Sequence, residues 1–373
     1  MKPYFIATNG TKYKSLNLSF DRKVWWWIPS IDQYSFFDLV NKNEFTNSML
    51  NENAVVIIDH SQDPIKLEEF ESLYYSQFKT LFEEHDISTD RIIVLEPSPS
   101  AQFYMTVDSP NYVSVIDKFH LPKKFTHIMF NSLFLNYWRR WEDDEPSFKR
   151  DPAKHFLTLA RHDKFSRRFI NYSLHKNNLF DKGFVSHVMI DFDTDLTHDY
   201  QLKMLQTRGD FDTAQYLKYG FTKHILDTDT PAHHPKISDY TNLANKTCFE
   251  LVQDSFITDC LLPTEKVFKP LYGKTPFLYV GSPYTLKYLK TLGFETFDKI
   301  FDESYDTELV YYDRIELIMN NMRAMCSLSL QDCKKRISLV EEVCEHNHKH
   351  FLHMDKGFNI KKRLDSAFTN IFT

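Results

Sequence analysis

The chain has 373 residues, with 45 Lys+Arg against 51 Asp+Glu and a formal net charge of -6. At roughly 100–200 residues per domain the length points to two domains. A 42% hydrophobic fraction with 26% charged residues excludes a disordered chain. The acidity excludes nucleic-acid binding through bulk charge and leaves only a local basic groove for it.

Glycine is scarce. There are 8, about 2% against an average of about 7%. Neither GxGxxG nor GxxxxGK[ST] occurs, which argues against a Rossmann dehydrogenase and a P-loop kinase. A nucleotide here has to be held by side chains and helix N-termini. The five cysteines show no CxxC spacing, as expected of free thiols in a reducing compartment. MKPYFIATNG lacks the apolar core of a signal peptide, and no apolar run approaches the roughly 20 residues of a membrane span. A soluble, cytoplasmic protein without membrane partners is the expectation.

In chain order, residues 4–7 read as a short strand ending at the Asn9-Gly10 turn. Residues 24–28 are a compact apolar run holding Trp25, Trp26 and Trp27. Period-2 alternation puts Trp26 on the opposite face from its neighbours. Such indoles suit stacking on a sugar or base as well as a core. Residues 54–58 (AVVII) read as a buried strand ending at Asp59-His60. Residues 67–84 are helical in pattern, and 91–95 (RIIVL) form the next strand, followed by Glu96. Strand, helix and strand with continuous apolar strands imply a parallel, two-sided sheet. Residues 139–154, dense in charge with Pro146 and Pro152, read as an interdomain linker or an exposed helix end.

The second half restarts with a strand at 155–159. A basic segment follows, with Arg161, Arg167 and Arg168, and then a helix to residue 179. Strands are expected near 184–190, at 248–252 and at 276–280. Helices are expected from 263 to 271 and from 284 to 292, the latter stopped by Gly293. Helical pattern dominates 313–353. The whole reads as two α/β units in series with a helical tail.

Residues 248–281 carry the most chemistry. A buried strand ends at Gln253-Asp254-Ser255, and a loop leads to a helix beginning Thr264-Glu265-Lys266. Thr264 is a suitable N-cap. The helix N-terminus offers free N–H groups and partial positive charge to an anion. Lys266 and Lys269 add full charges for a diphosphate, and Glu265 can accept hydrogen bonds from sugar hydroxyls. At Gly281 the backbone can pass close to a ligand.

The pattern Phe249…Asp254-Ser255…Asp259…Thr264-Glu265-Lys266 resembles the donor-site motif of α-1,3-fucosyltransferases and exostosin-like glycosyltransferases. The longer string from Thr264 through Gly293-Phe294 to Asp302-Glu303-Ser304-Tyr305-Asp306 is similar to glycosyltransferases of bacteriophages and large viruses. The resemblance covers residues 249–306 well and 155–315 loosely. It implies an α/β fold of GT-B type: two Rossmann-like domains facing across a cleft, with a helical C-terminal tail. Residues 1–145 would bind the acceptor. Residues 146–373 would bind the nucleotide-sugar, with the tail able to pack back on the first domain. Catalysis would be inverting and metal-independent. No cofactor is implied, only a UDP- or GDP-linked sugar as co-substrate.

Carried over by residue, Lys266 would hold the diphosphate and Glu265 the ribose or sugar. Asp254 and Ser255 would line the same pocket. Arg161 and Arg167 or Arg168 would form a second diphosphate clamp. Gln253-Asp254 stands where Glu-Asn is usual, and Cys260 to Pro263 replaces a shorter aromatic spacer; both departures weigh against GDP-fucose. The base that deprotonates the acceptor would come from strand ends of the first domain, where Asp59, His60 and Glu96 sit. The acceptor reading leans to a hydroxymethylated base in phage DNA, reached through a basic groove to which Lys123-Lys124 and Arg139-Arg140 contribute, in the host cytoplasm. The alternatives are a glycan or lipid-linked sugar acceptor, or a non-catalytic nucleotide-sugar-binding module.

Blander readings stand beside these. Glu265-Lys266 is also an ordinary solvated first turn, and the arginines an ordinary surface patch. The DESYD string fits acidic caps of a helix N-terminus as well as a cleft lining. Asp191-Phe192-Asp193-Thr194-Asp195 has the form of a DxD metal motif, but Asp227-Thr228-Asp229 repeats it, so a polar loop is expected. His346 and His350 are one turn apart without a second ligand pair, as is His233-His234 without partners. No metal site is expected.

Overall fold

The computed structural model describes residues 4–5, 22–27, 35–59, 76–96, 126–129, 141, 146–190, 202–203, 205–226, 237–254, 263–354 and 360–372. It divides into two compact units, Met1–Asn136 with Asp355–Thr373, and Tyr137–Met354.

The first unit is built on five parallel strands in straight sequence order: β1 (Tyr4–Phe5), β2 (Val24–Trp27), β3 (Val55–Asp59), β4 (Ile92–Glu96) and β5 (Thr126–Met129). Val55 to Ile58 and Ile92 to Leu95 are wholly buried, as continuous apolar runs of a covered parallel sheet should be. Helices α1 (Lys42–Asn51) and α2 (Ser76–Glu84) pack Phe45, Met49, Phe78, Leu81 and Phe82 against Trp25, Trp27, Val56, Ile58, Ile92 and Val94. Trp25 and Trp27 are therefore core residues. Trp26 points to the other face, as alternation requires, and donates Nε1–H to Asp59 Oδ2 at 2.9 Å. The N-terminal part of the helix expected over 67–84 lies outside the described residues.

The second unit has four parallel strands: β6 (Lys154–His162), β7 (Gly183–Ile190), β8 (Thr247–Gln253) and β9 (Phe277–Val280), in the order β7-β6-β8-β9. β6 runs three residues past its expected end, because β7 goes on pairing with it, Ala160 with His187 and His162 with Ile190. Arg161 and His162 are thus strand residues, and the basic segment starts on the sheet itself. Helix α3 (Phe165–Lys176) connects β6 to β7. α4 (Ile237–Ala244) precedes β8, α5 (Glu265–Tyr272) joins β8 to β9, and α6 (Thr285–Thr291) follows β9.

Gly293 ends α6 at φ 93°, the left-handed geometry expected of it. The long helical pattern breaks into α7 (Tyr311–Ser327), α8 (Leu330–Ser338) and α9 (Glu341–His353). Ser329 caps α8 by accepting from Asp332 N–H. The last helix, α10 (Ile360–Phe372), belongs to the first unit, where the Arg22 guanidinium lies 4.4 Å and that of Arg91 5.1 Å from the Phe372 ring centroid.

The described part of the expected linker is not a free connector. Arg150 donates to the carbonyls of Cys248 and Lys274 at 3.1 and 2.8 Å, and the Ser147 carbonyl accepts from Asn245 Nδ2 at 2.7 Å. Phe148 meets the rings of Tyr272 and His348. These contacts bind residues 147–150 to the second unit. Of the charged residues here, Arg150 ties down two backbone carbonyls and Lys154 one, that of Asp181. The four described cysteines, Cys248, Cys326, Cys333 and Cys344, are free and buried. No helix among the described residues is long and apolar enough to cross a membrane.

Candidate functional site

The strand order of the second sheet reverses between β6 and β8. In open parallel sheets the carboxyl ends beside such a reversal are where ligands bind. β6 delivers Arg161 and His162 to that edge, and β8 delivers Gln253 and Asp254. The loop after β6 leads into the first turn of α3, with Arg167 and Arg168. The chain after β8 returns to the first turn of α5, with Glu265 and Lys266. Two helix N-termini and six charged side chains, those of Arg161, Arg167, Arg168, Asp254, Glu265 and Lys266, are brought to one edge by topology.

The two arginines of α3 part company. Arg168 gives the Nε/Nη2 edge of its guanidinium to Asp163, with Nε 2.6 Å from Oδ1 and an ion pair from Nη2 to Oδ2, and it lies 4.3 Å from the Phe221 ring centroid. Both partners are at most 2% exposed in their side chains. Arg168 is thus committed to a buried pair. Arg167, also buried, donates Nη1–H to the His162 carbonyl at 2.7 Å, while its Nε meets no acceptor among the described residues. Burial pushes its pKa down, opposed by the carboxylates of Asp254, Glu265 and Asp163. Arg167 therefore faces the N-terminus of α5.

At that N-terminus Thr264 is the expected cap: its Oγ1 accepts from Lys266 N–H at 3.4 Å. Lys266 Nζ sits 2.8 Å from Glu265 Oε1 and 3.3 Å from Thr264 Oγ1, with the pair 23% and 14% exposed. Burial raises the Glu265 pKa, but Lys266 and Lys269 outweigh it and hold the carboxyl below its usual value. Lys269, one turn on, is pushed down by burial, with Glu265 opposing and Lys266 reinforcing; Arg161 adds a smaller repulsion. Below it Glu250 on β8 accepts from Tyr240 OH, and its pKa is raised by burial to about 7. This end of the sheet gathers Arg161, Arg167, Lys266 and Lys269 around one partly exposed carboxylate, Glu265. An anion entering there meets net positive charge and helix N–H groups.

Asp254 is placed differently from a ligand-lining carboxylate. It is 1% exposed and fully occupied inward. Oδ1 accepts from Thr264 Oγ1 at 2.7 Å, and Oδ2 accepts from Thr264 N–H at 3.1 Å and Tyr279 OH at 2.7 Å. Gly281 likewise serves the protein. A Cβ there would lie 2.2 Å from Tyr279 Cε1, so the ring fills the space expected for a ligand. Tyr279 escapes a reading of the sequence, where it is one aromatic in an apolar strand.

Gln253, in the sequence only a strand end and a departure from the Glu-Asn pattern, is placed beside Asp254 at the end of β8. It donates Nε2–H to Thr158 Oγ1 at 2.8 Å, and its buried Oε1 accepts nothing from the described residues. Behind Arg167, His187 on β7 is 2% exposed and neither ring nitrogen has a partner among the described residues. Burial pushes its pKa down to about 4; Asp163 opposes this, and Arg167, His224 and Arg168 add to it.

In the first unit Asp59 ends β3, 1% exposed, where it accepts from Trp26. Glu96 ends β4, the neighbouring strand. His60, Ser255, Lys123-Lys124, Arg139-Arg140, Asp259, Cys260, the 191–195 and 227–229 acidic pairs and His233-His234 lie outside the described residues, as does the Glu96 side chain. The DESYD string is a set of caps. Asp306 accepts from Leu286 and Lys287 N–H at the start of α6, Glu303 from Phe297 N–H, and Asp302 from Ser304 N–H. His346 and His350 serve the other end of α6, bonding the Gly293 and Leu292 carbonyls. Among the described residues no group of three or more His, Cys, Asp or Glu could hold a metal ion. A cavity of about 280 Å³ lies at the opposite, amino-terminal edge of the sheet, against Phe180, Gly183 and His224.

Fold and site together define an α/β protein with two parallel sheets and a cationic cluster at the switch point of the second. No protein-family model matches the chain, and no curated protein matches it. Among solved structures it is similar to T4 phage BGT in complex with its UDP-glucose substrate, at 12% identity over 94% of this chain and 83% of that one, with a TM-score of 0.37. It is similar also to OtsA in an apo structure, at 13% identity over 96% of this chain and 75% of that one, with a TM-score of 0.45. At such identities and TM-scores these likenesses assign nothing to this chain.

Proposed function

We propose that the protein is a glycosyltransferase of GT-B type that moves a sugar from a nucleotide-sugar to a hydroxyl acceptor, without a metal and with inversion. The observation that carries this reading is the cluster of Arg167, Lys266 and Lys269 about Glu265, at the N-terminus of α5 and the switch point of the sheet. The resemblance of residues 249–306 to phage and viral glycosyltransferases supports it.

In the proposed step the acceptor oxygen attacks the anomeric carbon as the bond from that carbon to the diphosphate oxygen breaks. The electron pair leaves with the nucleoside diphosphate. Arg167, Lys266 and the first N–H groups of α5 stabilise the charge that develops there. Glu265 turns from Lys266 to a hydroxyl of the ribose or sugar. The acceptor's proton goes to a base on the first unit. Asp59 is closed off and already bonded to Trp26, so His60 and Glu96 are the residues to test. For the acceptor we favour a hydroxymethylated base of phage DNA, on the strength of the same resemblance; binding must then fall steeply with salt.

The test is a screen of UDP- and GDP-sugars with hydroxymethylated DNA, a glycan acceptor or buffer, reading released nucleoside diphosphate. Release only with hydroxymethylated DNA is the expected result. Release with glycan alone would move the acceptor. Donor binding with no release under any condition would reduce the protein to a sugar-nucleotide-binding module. Full turnover by Lys266→Ala would refute the site.

A further inference from the structure

We propose that Tyr279 is a positioning residue for the donor site: its hydroxyl, through Asp254, holds the N-terminus of α5 in the geometry that binds the diphosphate. The inference rests on the donor-site reading above and deepens it.

Tyr279 lies on β9, whose residues pair in parallel with β8, Tyr279 with Val252 and Val280 with Gln253. Residues i and i+2 of a strand share a face, so Tyr279 and Gly281 point the same way. The tyrosine ring lies down along its own strand, over Gly281. A Cβ at 281 would stand 2.2 to 2.5 Å from Cε1, Cζ and the hydroxyl oxygen. Only glycine leaves this path open. By lying down, the ring carries its hydroxyl toward the carboxyl edge of the sheet, where Asp254 directly follows β8. From behind, the Tyr305 hydroxyl accepts the Tyr279 N–H at 3.3 Å.

The Tyr279 hydroxyl then donates to Asp254 Oδ2 at 2.7 Å. That carboxylate grips Thr264 twice, by its N–H and its hydroxyl. Thr264 in turn caps Lys266 N–H and touches Lys266 Nζ. A chain of contacts thus runs from β9 to the lysine. Tyr279, Asp254 and Thr264 are all at most 3% exposed, so water is not at hand to replace a lost donor. A buried carboxylate deprived of a hydrogen-bond donor shifts to recover one. Two of the bonds it keeps are to Thr264, so such a shift moves the first turn of α5. A misplaced anion site loses affinity, because preorganisation is what such sites contribute.

The experiment measures binding of uridine and guanosine diphosphate by titration calorimetry to wild type, Tyr279→Phe, Gly281→Ala, Lys266→Ala and the Tyr279→Phe/Lys266→Ala double variant. Melting temperatures are read alongside. The expected result is an affinity loss of about tenfold for Tyr279→Phe, the order of one charge-assisted hydrogen bond. Gly281→Ala should reproduce that loss although its tyrosine hydroxyl is intact. The double variant should lose less than the product of the two single losses, since both act through Lys266. A purely structural tyrosine would lower the melting temperature and leave nucleotide affinity alone. Wild-type affinity in Tyr279→Phe, with Lys266→Ala weakened, overturns the positioning role while keeping the donor site. A wild type that binds neither nucleotide overturns the donor-site reading, and this inference with it.

Discussion

Acid should cost the second unit stability at one buried imidazole, while the raised carboxyls of Glu250 and Asp306 act in the opposite direction, so the imidazole's share is read by difference from a variant that lacks it. His187 sits on β7, 2% exposed, with no partner for either ring nitrogen among the described residues. Burial depresses its pKa from 6.5 to about 4; the arginines of α3 and His224 press in the same direction, and Asp163 opposes them. Between these values the unfolded chain binds a proton that the folded one refuses. Stability from this group is therefore fully present above about 6.5 and is lost as pH falls toward 4. The difference between 6.5 and about 4 is worth about 3 kcal/mol at about 1.4 kcal/mol per pH unit. That is a large share of the 5–15 kcal/mol typical of a domain, to order of magnitude.

The perturbation that isolates it is His187→Phe, which cannot titrate. Urea unfolding of wild type and variant at pH 7, 6, 5 and 4 gives the difference in stability at each. The ring change sets an offset at pH 7 of either sign. Against that offset, wild type should lose about 3 kcal/mol more than the variant by pH 4. A stability difference that stays flat from pH 7 to 4 would refute the reasoning, and would mean that the folded state accommodates the imidazolium.

Three other outcomes follow from the same geometry. Glu265→Gln removes the negative charge beside Lys266, so inorganic diphosphate should bind several-fold tighter, about the effect of one partly exposed ion pair. The extra affinity that a nucleoside brings over diphosphate should shrink in the same calorimetric titration. Asp306→Ala takes the side-chain acceptor from the first N–H groups of α6; a cap loss of about 1–2 kcal/mol should appear in urea unfolding with nucleotide affinity unchanged. Gly293→Ala forces φ 93° on a residue with a Cβ and sets that atom 2.7 Å from the His350 ring. It should cost about 1–2 kcal/mol from the backbone alone, read as a lower urea midpoint at constant slope.

Much of this protein is written in stretches of neighbouring residues. The apolar runs at 54–58, 91–95, 248–252 and 276–280 are strands because only a covered parallel sheet accepts them. Thr264 is a cap and Gly293 a helix stop because hydroxyl and missing Cβ act on their own backbone, within a few positions. The scarcity of glycine pointed to side chains at a helix N-terminus, and that is where the cationic cluster lies. Other features depend on partners far along the chain. Arg167 and Arg168 are adjacent and alike, yet one is consumed by Asp163 and the other faces Asp254 and Glu265. Their difference is the turn of α3, which aims consecutive side chains about 100° apart.

Asp254 reads as a ligand contact in the local string, but the hydroxyl of a residue 25 positions later turns it inward. Gly281 reads as an opening for substrate, but the ring of Tyr279 needs the space. The strand order that creates the switch point between β6 and β8 is likewise a tertiary choice. Patterning selects which segments become strands; which strands lie side by side is settled only when the sheet buries them together, because pairing in a parallel sheet joins residues that no local rule connects.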